Sequence, residues 1–238
     1  MTLILGILDA DVITHPTLKR QYIAESQMLK TLLKTVCPDI QFKTYSVIDC
    51  EYPKHLDECD VYLITGSESS VYDAAPWILI LKKYVQSLYQ QGKKLLGICF
   101  GHQLIAHVLG GETRRSSNGW GVGVHTYNST RAGQLLSLPK EFSLLVSHQD
   151  QVHSLPPNAT LMASSSFCPV AAYRIKHQVL CFQGHPEFVV HYAQTLLSHH
   201  ESPLPKDTVQ QAQLSFNLPI HHQQVARAML AFVGANWT

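Results

Sequence analysis

No stretch of this chain stays apolar for the roughly 18 residues that a membrane-spanning helix needs. Neither sign of charge dominates either. Eighteen Lys and Arg against 17 Asp and Glu leave a net charge of +1, which gives no electrostatic basis for binding nucleic acid or an anionic membrane. The six cysteines include no CxxC pair and no small disulfide framework, so free thiols and a reducing, cytoplasmic setting are expected. The phosphate-binding pattern GxxxxGK[ST] is missing, which removes the commonest sequence sign of nucleotide chemistry. The apolar start, Met1 to Leu8, lacks a basic leader and a small-residue cleavage site, and is expected to be a first core strand.

What is present fits one enzyme-sized domain, expected to span 1–238, in which 45% hydrophobic residues suffice for a sizeable core. Short apolar runs alternate with helical patterns through the first half. Leu3 to Leu8, Gln41 to Val47, Val61 to Ile64 and Leu95 to Ile98 read as strands. Leu18 to Val36 reads as one helix, ended by Cys37-Pro38, because the residue before proline avoids the helical region. Pro76 to Tyr89 reads as another, with Trp77, Ile80, Leu81, Tyr84, Val85 and Leu88 inward. Such alternation implies a doubly wound α/β fold, flavodoxin-like, with a mostly parallel sheet and helices on both faces. Strand-like runs crowd the segment from Val122 to Phe182 and suggest a small antiparallel extension. Helices are expected to resume at Phe188 to Leu197 and Gln223 to Phe232, with Glu201 to Leu218 a polar surface connection holding at most a short helix.

The chemistry is concentrated at two strand ends. Leu95-Leu96-Gly97-Ile98 runs into Cys99-Phe100-Gly101-His102-Gln103, and a helical pattern follows. This is a strand–nucleophile–helix elbow with cysteine in the serine place. Gly97 and Gly101 lack the Cβ atoms that would obstruct so sharp a turn. A helix N-terminus behind Cys99 favours its thiolate. A second buried run, Val179 to Gly184, ends in His185-Pro186-Glu187. A nucleophilic thiol needs a base, and the base needs an orienting group. Pro186 holds the turn that keeps His185 and Glu187 together. His102, beside the elbow, is expected to pack without taking part.

Gly97-Ile98-Cys99-Phe100-Gly101-His102-Gln103 together with Gly184-His185-Pro186-Glu187 resembles the class I glutamine amidotransferase family, closest to the glutaminase domain of GMP synthase and its free-standing relatives. The resemblance runs from the first strand to the turn after Glu187. It implies a Cys99–His185–Glu187 triad acting on the γ-carbonyl of glutamine or a γ-glutamyl compound through a glutamyl thioester, with no redox or organic cofactor. It implies oxyanion donors at Phe100 and at Gly66, in the loop Thr65-Gly66-Ser67-Glu68, where Glu68 stands in a place the family often gives to proline. It implies substrate contacts by Gln103 and by Ser147-His148-Gln149-Asp150, with Asp150 suited to an α-ammonium group. One acidic residue in that turn and no charged cluster beyond it suggest that the group past the amide is loosely read. Asn118-Gly119-Trp120-Gly121 is a further candidate pocket wall.

Fourteen histidines raise the question of metal. His199-His200 and His221-His222 are adjacent pairs, which point apart on a helix, and a zinc site needs three or four placed ligands. No metal is expected. The chain offers no length for a synthetase domain, so three readings stay open. The chain feeds ammonia to a separate synthetase subunit, or it is a free γ-glutamyl peptide hydrolase, or it is a catalytically idle regulatory or binding subunit. Intact Cys99, His185 and Glu187 weigh against the last.

Overall fold

The computed structural model describes residues 3–22, 24–198 and 204–235; His199-His200 and the start of the expected polar connection lie outside them. In chain order the strands are β1 (Ile4–Asp9), β2 (Gln41–Ser46), β3 (Val61–Ile64), β4 (Lys94–Ile98), β5 (Glu112–Arg115), β6 (Gly121–Ser129), β7 (Glu141–His148), β8 (Asp150–Ser154), β9 (Ala159–Ser164), β10 (Ala172–Ile175) and β11 (Val179–Phe182). The helices are α1 (Pro16–Gln21), α2 (Glu25–Val36), α3 (Pro76–Gln90), α4 (Phe100–Val108), α5 (Arg131–Gln134), α6 (Val190–Ser198), α7 (Lys206–Ser215) and α8 (His222–Val233).

Nine strands form one sheet in the order β2-β1-β3-β4-β11-β10-β9-β6-β7, and β5 pairs with β8 separately. The first five run parallel; β10, β9, β6 and β7 continue antiparallel. The expected doubly wound sheet with an antiparallel extension is therefore the fold. The central strands are covered on both faces, and their side chains divide accordingly. Val61, Leu63, Leu96, Ile98, Leu180 and Phe182 join α2 and α8 in one core. Tyr62, Ile64, Leu95, Val179 and Cys181 face α3 and α4 in the other. Burial on both sides is why these strands read as continuous apolar runs instead of alternating ones.

Three expectations shift. The Leu18 to Val36 helix is two helices, with extended backbone at Tyr22 and Ala24 between them. That break starts α2 at Glu25, at the edge of the site. In α3 the buried positions are Ile78, Leu81, Val85 and Leu88, spaced three, four and three apart. Ile80 lies off that stripe and is 43% exposed. The polar segment after Pro205 carries the ten-residue α7, which packs through Ala212 and Phe216; the Ser215 hydroxyl accepts from the Val124 N–H at 2.8 Å.

The carboxyl ends of β1, β3, β4 and β11, four adjacent parallel strands, meet at one edge, where open α/β sheets bind ligands. The β4 end is the tightest. A Cβ on Gly97 would lie 2.7 Å from the Gly101 carbonyl, and one on Gly101 would collide with the Ile64 carbonyl oxygen. Only bare backbone fits, so the chain reverses directly from β4 into α4. Cys99 takes up the turn at φ 50°, ψ −102°, a strained conformation for a residue with a side chain. Releasing that strain is measurable. Cys99→Gly should unfold at a higher urea midpoint than Cys99→Ala, by about 1 kcal/mol, because glycine tolerates positive φ and alanine does not. Equal midpoints would show that the elbow stores no such strain.

Candidate active site

Cys99 caps the N-terminus of α4 and is nearly buried, with its thiol in the wall of a cleft of about 310 Å³. The Gln183 side-chain amide donates to its sulfur at 3.6 Å. Among the described residues, no protein acceptor receives the backbone N–H of Phe100 or of Gly66. The first is an orphan of the helix start. The second follows β3, whose end lies beside β4. Gly66 is close-packed: a Cβ there would meet Glu25 Oε2 at 2.7 Å and His185 Cε1 at 2.9 Å.

His185 is delivered by β11. Its backbone N–H donates to the Leu145 carbonyl at 2.8 Å, which ties the turn to β7. Its ring stacks on Phe188, centroids 3.8 Å apart and planes within 12°, and Phe188 in turn packs on Tyr192. Nδ1 lies 2.7 Å from Glu187 Oε1, both groups being buried. A carboxylate there accepts a hydrogen bond from Nδ1–H and leaves Nε2 for the cleft side. Burial alone would lower the His185 pKa. The charges of Glu187 and Cys99 and their hydrogen bonds outweigh it and hold the imidazole well above its ordinary value. Burial pushes the thiols of Cys168 and Cys181 up to about 12. All six cysteines are free.

The expected substrate contacts also gather at the cleft. Gln103, Ser147, His148 and Asp150 line it, and so does Trp120 from the uncertain wall segment. Their bonding is more specific than the sequence suggested. Gln103 Nε2 donates to the Asp150 carbonyl at 2.8 Å and to Gln183 Oε1 at 3.2 Å, so a hydrogen-bonded chain runs from β8 through Gln103 and Gln183 to Cys99. The Asp150 carboxylate accepts from the Ser70 hydroxyl at 2.7 Å and the Tyr72 hydroxyl at 2.9 Å. It therefore braces the loop after β3 as well as facing the cleft. Two of its roughly four lone-pair directions remain for a ligand. Burial first, with His125 and His185 nearby, pushes His148 down to about 3, so its ring is neutral and its Nδ1 donates to the Asp150 carbonyl at 3.2 Å. His102 sits fully buried under the elbow, 5.0 Å from the Tyr173 ring, and burial pushes it down to about 3. It packs, as expected.

Four charged cleft residues carry no role in the sequence reading, Glu68 being noted there only as a departure from the family loop. Arg115 pairs across the small sheet with Asp150 and sets a cation beside it. Glu25, Asp11 and Glu68 line the same cleft from three separate segments. The cleft therefore holds three acidic side chains besides Asp150, where the sequence alone singled out one. Burial, then Asp11, raises Glu25 well above an ordinary carboxyl. Burial, then Glu68 and Asp9, raises Asp11 to about 6. Among the described residues Glu25, His185 and Glu187 also bring ligand atoms within 4.8 Å of one another, the geometry a metal would use. His185 and Glu187 are already joined there by their own hydrogen bond through Nδ1 and Oε1.

Comparison with known proteins agrees with this geometry. The family model "Glutamine amidotransferase class-I" matches residues 26–200. Gamma-glutamyl peptidase 3 of Arabidopsis thaliana is 36% identical over 157 residues, 62% of this chain and 63% of that protein, so the chain spans just under two thirds of that relative. The glutamine-hydrolyzing GMP synthase of Aeropyrum pernix is 42% identical over 104 residues, 41% of this chain and 19% of that protein. A glutamine amidotransferase from Thermotoga maritima superposes with TM-score 0.75 over 98% of this chain and 99% of its own at 16% identity, a likeness of fold. With its elbow cysteine, its Gly-His-Pro-Glu turn and a family match over most of its length, the chain belongs to the class I glutamine amidotransferase family.

Proposed function

We propose that residues 1–238 form one catalytic unit that hydrolyses γ-glutamyl amides, with Cys99 as nucleophile, His185 as acid–base group and Glu187 as its orienting carboxylate. The observation that carries the proposal is the buried 2.7 Å His185–Glu187 contact, with His185 lining the same cleft as the Cys99 thiol. His185 takes the thiol proton and Cys99 Sγ attacks the γ-carbonyl carbon. The oxyanion meets the N–H groups of Phe100 and Gly66. Collapse breaks the C–N bond as His185 returns the proton to the leaving nitrogen, and a glutamyl thioester remains. Water, deprotonated by His185, then releases glutamate and the thiol. Glu187 keeps the Nδ1 tautomer and stabilises imidazolium. Asp150 and Arg115, cross-strand neighbours in the same cleft, present opposite charges, the complement of an α-ammonium and an α-carboxylate. Gln103, Ser147 and His148 complete that subsite.

The γ-glutamyl peptidase likeness supports a self-sufficient hydrolase. The GMP synthase likeness supports a second reading, the same half-reaction feeding ammonia to a separate synthetase. A panel of γ-glutamyl amides, from glutamine to γ-glutamyl dipeptides, separates them. The isolated chain should release glutamate from amides larger than glutamine. Turnover of glutamine alone, and only after a partner is added, would reverse the order of the two readings.

The raised His185 pKa gives a signed pH prediction. Glu187 favours imidazolium, so Glu187→Gln should lower kcat and move the alkaline limb of the kcat/KM profile to lower pH. The limb is read from initial rates across pH. An unmoved limb would place the orienting charge elsewhere.

A further inference from the structure

The charge of the cleft is divided. Arg115 and Asp150 are cross-strand neighbours in its lining. Asp11, Glu25 and Glu68 share the wall beside His185. These three come from the loop after β1, the first residue of α2 and the loop after β3, so only the tertiary fold gathers them. A second observation marks this as more than an acidic surface. Glu25 is buried, lies in the cleft wall, and its Oε2 has no hydrogen-bond partner. That oxygen lies beside His185, since both it and His185 Cε1 fall within 3 Å of the position a Gly66 Cβ would take. Behind it, Glu187 Oε2 and Asp9 Oδ1 are likewise buried without a partner. A buried carboxyl oxygen without a donor is costly, and a ligand bringing N–H groups to the Glu25 wall would satisfy it.

The reaction geometry says which part of a substrate reaches this wall. His185 must protonate the leaving nitrogen, so whatever that nitrogen carries extends from His185, away from the glutamyl head held near Asp150 and Arg115. We propose that the leaving group is an amine bearing a second, protonated amino group, seated among Asp11, Glu25 and Glu68, so that the substrate class is γ-glutamyl conjugates of diamines. The inference rests on the reading of Cys99 and His185 as the reacting pair. The net reaction is balanced by water alone: the γ-glutamyl C–N bond breaks, glutamate keeps the acyl carbon, and the diamine leaves with the proton from His185. A γ-glutamyl amino acid would instead bring a carboxylate against the same wall. Burial first, then the neighbouring carboxylates, raises Asp11 and Glu25, and a cation seated among them would offset both effects.

Binding to Cys99→Ala, measured by calorimetry, tests this without turnover. Three ligands of matched length differ only at the far end: γ-glutamyl-1,4-diaminobutane, γ-glutamyl-pentylamine and γ-glutamyl-4-aminobutyrate. The cationic ligand should bind at least about tenfold more tightly than the neutral one, the scale of a hydrogen bond between charged groups, and the anionic ligand should bind most weakly. Glu25→Gln and, separately, Glu68→Gln in the same background should bring the cation-to-neutral ratio towards one. The ratio within each variant cancels any general loss of affinity. Equal binding of all three, tightest binding of the anion, or no binding would overturn the inference. Wild-type turnover separates the two claims. Hydrolysis of cationic and neutral amides with equal kcat/KM would refute the diamine assignment while leaving the Cys99 chemistry standing. Hydrolysis that persists in Cys99→Ala would refute the chemistry while the binding ratio still decides the assignment.

Discussion

Everything at this site depends on how closely two pieces of backbone approach at the end of β4. Gly97 lies against Gly101, and Gly101 lies against the Ile64 carbonyl, with no room for a side chain at either glycine. That contact forces the reversal, places Cys99 at positive φ, and aims its sulfur out of the sheet edge. It also presses the start of α4 against the end of β3. Had the chain turned more gently, the thiol would have been one more inert buried cysteine, like Cys181 on the neighbouring strand.

The second constraint is electrostatic. A buried imidazolium is unfavourable unless paired. Here Glu187 pairs it, Phe188 stacks on it and the Leu145 carbonyl anchors its backbone. The neighbouring carboxyl groups do not all find such partners. Glu25 and Asp9 keep buried oxygens without donors, which is costly for folding alone and understandable if the wall serves a ligand. The cleft thus carries Arg115 across from Asp150 and a set of acids with Glu25 beside His185.

The sequence disclosed what is local. Cys99 and His185 each follow a buried run ended by punctuating residues, so their elements and order could be read from a few neighbours. The doubly wound class followed from the alternation of those runs. Non-local features were hidden. Glu25 reads as an ordinary first-turn acid of a helix; only the break at Tyr22 and Ala24 turns that helix start towards His185. Arg115 lies on a four-residue strand whose partner is known only once β8 has formed. Gln183 sat within the quoted run ahead of His185, yet nothing in its spacing tells that its amide reaches Cys99 and Gln103. Asp150 was identified as a site residue, but its grip on Ser70 and Tyr72 spans about eighty positions and has no sequence signature.

The central claim is that a glutamyl group passes through the sulfur of Cys99. Acid quenching of the protein during turnover of a γ-glutamyl amide, followed by peptide mapping in a mass spectrometer, tests it directly. The account predicts a glutamyl thioester on the peptide that contains Cys99, absent in Cys99→Ser and accumulating when His185→Ala slows its hydrolysis relative to its formation from an activated γ-glutamyl ester. A glutamyl adduct on another residue, or steady release of glutamate with no acyl group on Cys99 in any quench, would contradict it.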